Sequence, residues 1–322
     1  MNVNHNRWGE VNTVKKKILV AVDGSIYSRK AIDYVVKMES LIKDLNYTLL
    51  NIHPKLSEFL VEDSRIDGKA RSALKEITAR NHENSIRILN DAKSIMIKLG
   101  VNENQIETVS RPVVKGTAKA IIDYGRRGLY DAIVMGRRGI SRLAEVFMGS
   151  VTNSVLEHTS INPVWTVGGD VKSLKIMIAV DGSESSLRAV DHVIFMLGEN
   201  PDIRITLLHV MPKLRDYCEI TFEEKEDMLE EVIKQSDKHC IDDFYAHAQK
   251  KIKEAGLKKS QIDIKQVVSI MNTGKSIVNE VKKGNFGTVV IGRRGADDSF
   301  FLGSISRFVL ANISNRAVWL VP

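Results

Sequence analysis

Short apolar runs alternate with longer amphipathic stretches along the whole chain. Ile18 to Val22 is a run of the first kind, and it ends at Asp23-Gly-Ser, which reads as a buried strand closing in a turn. Ser25 or Ser28 is placed to cap a helix through Ala31, Ile32, Val35 and Val36, whose spacing puts them on one face. Thr48 to Ile52 predicts a second strand, closed by Pro54. A long polar stretch follows, with a helix expected from about Arg71 to Lys98. A third strand is expected near Thr108 to Val114, a helix from near Thr117, and a fourth strand over Asp131 to Met135. A helix then opens at Gly149-Ser150, and Val164 to Val167 is a fifth strand. Alternation of this kind implies a doubly wound α/β fold, a parallel sheet with helices on both faces.

The same order returns from Ile176 to Val321, and the returning blocks are close copies. Lys17-Ile-Leu-Val-Ala-Val-Asp-Gly-Ser25 becomes Lys175-Ile-Met-Ile-Ala-Val-Asp-Gly-Ser183. Pro54-Lys-Leu56 becomes Pro212-Lys-Leu214, and Gly136-Arg-Arg-Gly139 becomes Gly292-Arg-Arg-Gly295. Gly149-Ser-Val-Thr152 becomes Gly303-Ser-Ile-Ser306, and Val164-Trp-Thr-Val167 is echoed by Val318-Trp-Leu-Val321. The offset shortens only slightly from block to block, as small loop deletions would cause. The chain is a tandem duplication, with expected domains 1–170 and 171–322 joined near Gly168 to Ser173.

Composition narrows the class without choosing the function. Of 322 residues, 43% are hydrophobic and 27% charged, an ordinary globular balance in which each half can bury a core. The two cysteines, Cys218 and Cys240, form no C-x-x-C pair and match no zinc spacing. Met1 to Thr13 is polar, and no run approaches the roughly 18 apolar residues of a spanning helix, so no membrane partner and a cytoplasmic location are expected. Nearly all of the formal net charge of +7 falls in the first half. A basic excess attracts phosphates, nucleic acid or anionic lipid alike. Neither an aromatic-studded basic strand nor a recognition-helix motif accompanies it, so nucleic acid is not an expected partner.

In an open sheet of this kind, ligands bind beyond the carboxyl ends of the strands, where strand order reverses. Asp23, Ile52 and Gly136 stand at such ends. The most specific pattern is Gly136-x2-Gly139-x9-Gly149-Ser150. Glycines allow tight turns and close backbone approach. Gly149 and Ser150 then open a helix whose first amides have no intrahelical partner, and whose dipole favours an anion by about 0.3–1 kcal/mol per charge. The Ser150 hydroxyl adds a donor, and Arg137 and Arg138 add positive charge.

The Ala-Val-Asp-Gly-Ser start, the Asp131-Ala-Ile-Val-Met-Gly strand and the glycine spacing together resemble the ATP-binding branch of the universal stress protein family, in both halves. The resemblance implies the adenine-nucleotide α-hydrolase-like fold and ATP as ligand, with Mg or Mn. It places Asp23, Ile52, Met135 and Gly136 around the nucleoside, and Gly139, Gly149, Ser150 and Val151 around the phosphates. The corresponding positions of the second copy are Asp181, Val210, Gly292, Gly295, Gly303 and Ser304. That copy departs from the pattern. Its loop is shorter by two residues, Asp297 and Asp298 would repel a triphosphate, and Gly287-Thr288 is aligned with Tyr130-Asp131. Family members commonly dimerise through strand five, so Trp165 and Trp319 are expected at an edge where the two copies pair inside one chain, or where a homodimer forms.

Other motifs read more plainly. Thr273-Gly-Lys-Ser276 resembles the end of a Walker A loop, but Ser269 stands where that loop needs glycine, so a helix N-cap is expected. His239, Asp243 and His247 share one helical face, which reads as solvated, and His209 reads as packed near a strand end. No catalytic base stands beside a nucleophile, and neither a Ser-Gly-Gly-x-Asp-Ser loop nor G-x-G-x-x-G follows strand one. An ATP-binding regulatory or stress-response protein that is not an enzyme is the leading reading. A slow ATPase or phosphotransferase and a nucleotide-free interaction module are the alternatives.

Overall fold

A computed structural model describes residues 15–56, 67–113, 116–138, 148–198, 200–213, 226–269, 272–293 and 302–322. The first half runs β1 (Lys16–Ala21), α1 (Ile26–Met38), β2 (Leu45–His53), α2 (Gly68–Lys98), β3 (Ile106–Pro112), α3 (Thr117–Arg127), β4 (Ala132–Gly136), α4 (Ser150–His158) and β5 (Val164–Val167). The second half repeats it as β6 (Ile176–Val180), α5 (Glu184–Leu197), β7 (Ile205–Met211), α6 (Glu226–Glu254), β8 (Ile262–Val268), α7 (Thr273–Lys283), β9 (Thr288–Gly292), α8 (Ser304–Asn312) and β10 (Ala317–Val321).

The strands form one ten-stranded sheet in the order β3-β2-β1-β4-β5-β10-β9-β6-β7-β8. Every pairing is parallel except β5 with β10, which run antiparallel with Trp165 opposite Trp319. Alternation along each strand sends side chains to two cores. On one face Ile18, Val20, Leu49 and Val134 pack under α1 and α2, with their counterparts under α5 and α6. On the other, Leu19, Leu50, Ile133 and Met135 pack under α3 and α4, with their counterparts under α7 and α8.

Local chemistry explains the boundaries. Ser25, not Ser28, caps α1: its Oγ accepts the Ser28 amide at 3.1 Å, and Ser183 does the same for Ser186 at 3.2 Å. Gly24 and Gly182 take φ of 76° and 82°, a turn conformation that a side chain would strain. The second helix starts earlier than expected because Asp67 caps it, accepting the Ala70 amide at 2.7 Å. Strand three is displaced to Ile106–Pro112; it lies at the sheet edge and leaves Glu107, Thr108 and Arg111 to solvent or partial cover, so its apolar signal is weak. Expected strand residue Val114 lies outside the described residues.

The junction of the halves is buried and aromatic. The Trp165 and Trp319 rings stack with centroids 3.9 Å apart and 2° between planes, and both are fully buried. Trp165 Nε1 donates to His192 Nε2 at 3.1 Å, and Trp319 Nε1 donates to the Tyr34 hydroxyl at 2.9 Å. Each indole is thus held by a residue of the opposite half.

Candidate functional site

The chain leaves β1 towards β2, yet β4 lies against the other side of β1. Connections diverge there, and a crevice opens beyond the strand ends. A cleft of about 200 Å³ fills it, lined by Ala21, Val22 and Asp23 from β1, Leu50, Asn51 and Ile52 from β2, and Met135 and Gly136 from β4. Ser28, Thr117, Ile121, Arg138 and the first residues of α4, Gly149 to Thr152, complete the wall. Its floor is apolar and its rim polar, a division common to small-molecule sites.

The start of α4 is the polar end of this cleft. Gly149 is the N-cap and offers no side chain. Asn153 donates to the Gly149 carbonyl at 2.9 Å, which closes the first turn. Ser150, Val151 and Thr152 therefore bring amides that lack an intrahelical acceptor. The Thr152 hydroxyl donates to the Gly136 carbonyl at 3.0 Å and ties the helix to the end of β4. Asn51 secures the other side, donating to the Val22 carbonyl at 2.6 Å. Asp23 accepts the Ser25 amide on Oδ1 at 3.0 Å, so one of its oxygens serves the turn. Arg138 stays on the rim, its guanidinium 5.4 Å from the Tyr27 ring centroid and within 3.0 Å of the Tyr27 hydroxyl.

The expected site residues Asp23, Ile52, Met135, Gly136, Gly149, Ser150 and Val151 thus converge. Two expectations need correction. Arg137 does not face the cleft: it is buried, and its guanidinium donates to the Ala311 and Ile313 carbonyls at the end of α8. Both arginines lie past the end of β4: the Arg137 amide still donates to the Val167 carbonyl of β5 at 2.9 Å and its side chain runs across to α8, whereas Arg138 reaches the cleft. Burial first, and the Arg138 charge second, lower the Arg137 pKa from the usual arginine value. The Gly149 amide is no free donor either, because it is bonded to the Arg137 carbonyl at 3.0 Å. Gly136 carries a packing duty as well, since a Cβ there would stand 2.6 Å from the Tyr27 carbonyl carbon. Gly139 lies outside the described residues. Ser28, Asn51, Thr117, Ile121 and Thr152 were not anticipated; Asn51 and Thr152 adjoin expected residues, whereas Thr117 and Ile121 reach the cleft only through the packing of α3.

In the second half, Asp181 accepts the Ser183 amide at 3.1 Å as Asp23 does in the first, and Val210 is buried at the end of β7. Ser306 donates to the Gly292 carbonyl at 2.7 Å, and the Gly303 amide to the Arg293 carbonyl at 3.1 Å. Gly303 caps α8 without a side chain, and Ser304 is its exposed first residue. Gly295, Asp297 and Asp298 lie outside the described residues. The alignment of Gly287-Thr288 is corrected by one place: Ile18 pairs with Ala132 as Ile176 pairs with Thr288, so Phe286 matches Tyr130 and Gly287 matches Asp131. Asp131 accepts the Lys17 amide at 2.7 Å, a structural bond at the start of the strand and at the end away from the cleft.

The remaining motifs find structural places. Asn272 caps α7, accepting the Lys275 amide at 2.7 Å, so Thr273 to Ser276 form a first helical turn. His239 and Asp243 are 85% and 69% exposed, on the solvent face of α6. His209 is buried, with Nδ1 at 3.0 Å from the Val180 carbonyl and Nε2 at 2.8 Å from Asp237. Cys218 lies outside the described residues, and no described helix is long and apolar enough to cross a membrane.

Known proteins share both the sequence pattern and the fold. A sequence model of the universal stress protein family matches residues 15–168 and again 173–322. A universal stress protein of Mycolicibacterium smegmatis is 26% identical over 65% of this chain and 69% of its own length. Universal stress protein YxiE of Bacillus subtilis is 32% identical over 43% of this chain and 90% of its own. The crystal structure of a universal stress protein from Archaeoglobus fulgidus aligns over 95% of this chain and 97% of that one, with a TM-score of 0.58 at 19% identity. Two matches to one family, laid on a sheet that repeats itself, leave a single assignment: this chain belongs to the universal stress protein family, as a tandem of two of its domains.

Proposed function

We propose that the protein is an ATP-binding regulator of the stress response, acting in the cytoplasm, with nucleotide held in the first domain (1–170). The observation that carries this is the meeting, at one cleft, of three strand ends with a helix start whose amides have no intrahelical acceptor. Adenine fits the apolar wall of Val22, Ile52 and Met135, with the ribose beside Asp23 and Gly136. The triphosphate meets the amides of Ser150 and Val151 and the Ser150 hydroxyl, with Arg138 on the rim and Gly139 in the preceding loop. Mg or Mn would temper the phosphate charge, and Asp23 is the carboxylate of the cleft able to meet it. The second domain (171–322) carries the degenerate counterpart at Asp181, Val210, Gly292, Gly295, Gly303 and Ser304.

ATP serves here as ligand or switch. A phosphotransfer reading would want both arginines of the loop on the γ-phosphate, and Arg137 is turned away. Pairing of β5 with β10 uses the strand-five edge inside the chain, so the two domains act as an internal pair and a homodimer would need another surface.

Ser150→Pro tests the phosphate site. Proline suits the first helical position, and Gly149 already has the extended backbone (φ −61°, ψ 143°) that a following proline demands. The change removes one amide and one hydroxyl while sparing the fold. Bonds to charged groups contribute about 1.5–3 kcal/mol each, so ATP affinity should fall by about tenfold or more. Nucleotide released from denatured protein, identified by mass, should drop from one equivalent per chain accordingly. Unchanged stoichiometry and affinity in the variant would remove the α4 site, and a wild-type chain that neither carries nor binds adenine nucleotide would favour the interaction module.

A further inference from the structure

Arg137 and Arg293 hold equivalent positions, one residue beyond β4 and β9, and both are buried. Each acts in two places. The Arg137 carbonyl accepts the Gly149 amide at 3.0 Å and fixes the start of α4, in its own domain. Its guanidinium donates to carbonyls at the end of α8, in the other domain. Arg293 repeats the arrangement with the domains exchanged. Its carbonyl accepts the Gly303 amide at 3.1 Å at the start of α8, and its guanidinium donates to the Glu157 carbonyl in the last turn of α4. Arg307 of α8 adds a bond to the Glu157 carboxylate at 3.4 Å.

Both short helices are therefore pinned at their N-termini by their own domain and at their C-termini by the other. The last carbonyls of a helix have no intrahelical donor, and a buried cation there also suits the helix dipole. Each helix has only nine residues, so it is about 13 Å long and a tilt at one end reaches the other. Neither start has a side-chain cap on its amides; apart from the Gly149 and Gly303 amides, one hydroxyl ties each to its own strand end, Thr152 to the Gly136 carbonyl and Ser306 to the Gly292 carbonyl.

The geometry points to crossed positioning: Arg293 of the second domain sets the phosphate-binding helix of the first, and Arg137 of the first sets the matching helix of the second. Nucleotide affinity in one domain thereby depends on an arginine of the other. The affinity consequence rests on the ATP reading above; the crossed anchoring does not.

The test compares the full chain with Arg293→Met and Arg137→Met, which keep the aliphatic stem and delete the donors. Hydrogen–deuterium exchange is read without nucleotide, and ATP affinity by titration. Arg293→Met should speed exchange in α4 and leave α8 unchanged, and should weaken first-domain ATP binding about five- to tenfold, the lower range of coupling between sites. Arg137→Met should speed exchange in α8 and weaken first-domain ATP binding less than Arg293→Met does. Each variant loosening its own domain's helix, or both loosening both helices alike, overturns the proposal. Crossed exchange with unaltered ATP affinity overturns the positioning role. A wild-type chain that binds no ATP removes the nucleotide reading, while the exchange pattern still decides the anchoring. Should a Met variant fail to fold, Arg293→Lys and Arg137→Lys keep the charge without the fork of donors and should give the same crossed pattern, weakened.

Discussion

Replacing His192 with glutamine should remove a specific weakness of this protein to acid. His192 is buried beside the paired indoles, its ring 5.9 Å from Trp165 and 5.6 Å from Trp319, and its Nε2 accepts a hydrogen bond from Trp165. A proton on that nitrogen would set two donors face to face and put a charge among apolar rings. Burial accordingly pushes its pKa down from 6.5 to about 3. Between these values the unfolded chain takes up a proton that the folded chain refuses. Stability from this residue is therefore intact above pH 6.5 and declines as pH falls towards 3, the direction for a histidine held neutral. At about 1.36 kcal/mol per pH unit, lowering the pH from 7 to 5 costs about 2 kcal/mol.

The substituted amide would still offer an oxygen to Trp165 but cannot titrate. Urea unfolding followed by tryptophan fluorescence, at pH 7 and pH 5, gives the loss of stability for each protein. Other titrating groups are common to both, so the difference between the two losses isolates His192. The wild type should lose about 2 kcal/mol more than His192→Gln. Losses agreeing within about 0.5 kcal/mol would show that the site admits water or a counter-charge, and the argument from the burial of His192 would be refuted.

Two further substitutions probe the site and the junction. Gly136→Ala would drive a Cβ to within 2.7 Å of the Tyr27 carbonyl oxygen, which is backbone and cannot rotate aside; a loss of about 1–3 kcal/mol in denaturant unfolding is expected, and a thermally unchanged variant would deny that close approach. Trp319→Ala removes one of two stacked, fully buried indoles and takes one donor from the Tyr34 hydroxyl, which keeps Thr288 at 2.8 Å, so it should cost about 3–5 kcal/mol and separate the unfolding of the two domains, whereas a single unshifted transition would show that the halves are held together elsewhere.

Where the sequence could be read and where it could not follows from range. The strand over Val164 to Val167 was placed to the residue, because a short buried strand is a short apolar run. The cleft's strand-end residues were legible for the same reason, since Ile52 ends such a run, Asp23 and Gly136 each follow one, and topology gathers run ends at one rim. Arg137 was misread because its neighbour Arg138 does face the cleft. Linear adjacency cannot tell which of two consecutive residues turns inward, nor that the sheet continues into the second domain and places the end of α8 beneath one of them. The one-place slip at Gly287 arose where Asp131 and Gly287 differ chemically. The registers Ile18 to Ala132 and Ile176 to Thr288 locate the match, and those are tertiary facts.

The junction also shows what fusing two copies permits. Across a true twofold, any residue meeting a partner must itself be met in the same way, so a single residue type has to serve both sides. Here Tyr34 and His192 are equivalent positions on α1 and α5, yet one holds Trp319 with a hydroxyl and the other holds Trp165 with a ring nitrogen. The difference spreads to the next layer. The Tyr34 hydroxyl also bonds Thr288 at 2.8 Å, and the place of Thr288 on the other side is taken by Ala132, which has no polar atom in its side chain. Tyrosine with threonine and histidine with alanine are each satisfied sets, whereas exchanging one member alone would strand a buried polar group at about 1–3 kcal/mol. Two separate identical chains could not have acquired these sets one on each side. Covalent linkage removed that restriction, and the same freedom lets the shortened second glycine loop depart from the first while Arg293 continues to grip the helix beneath the first domain's cleft.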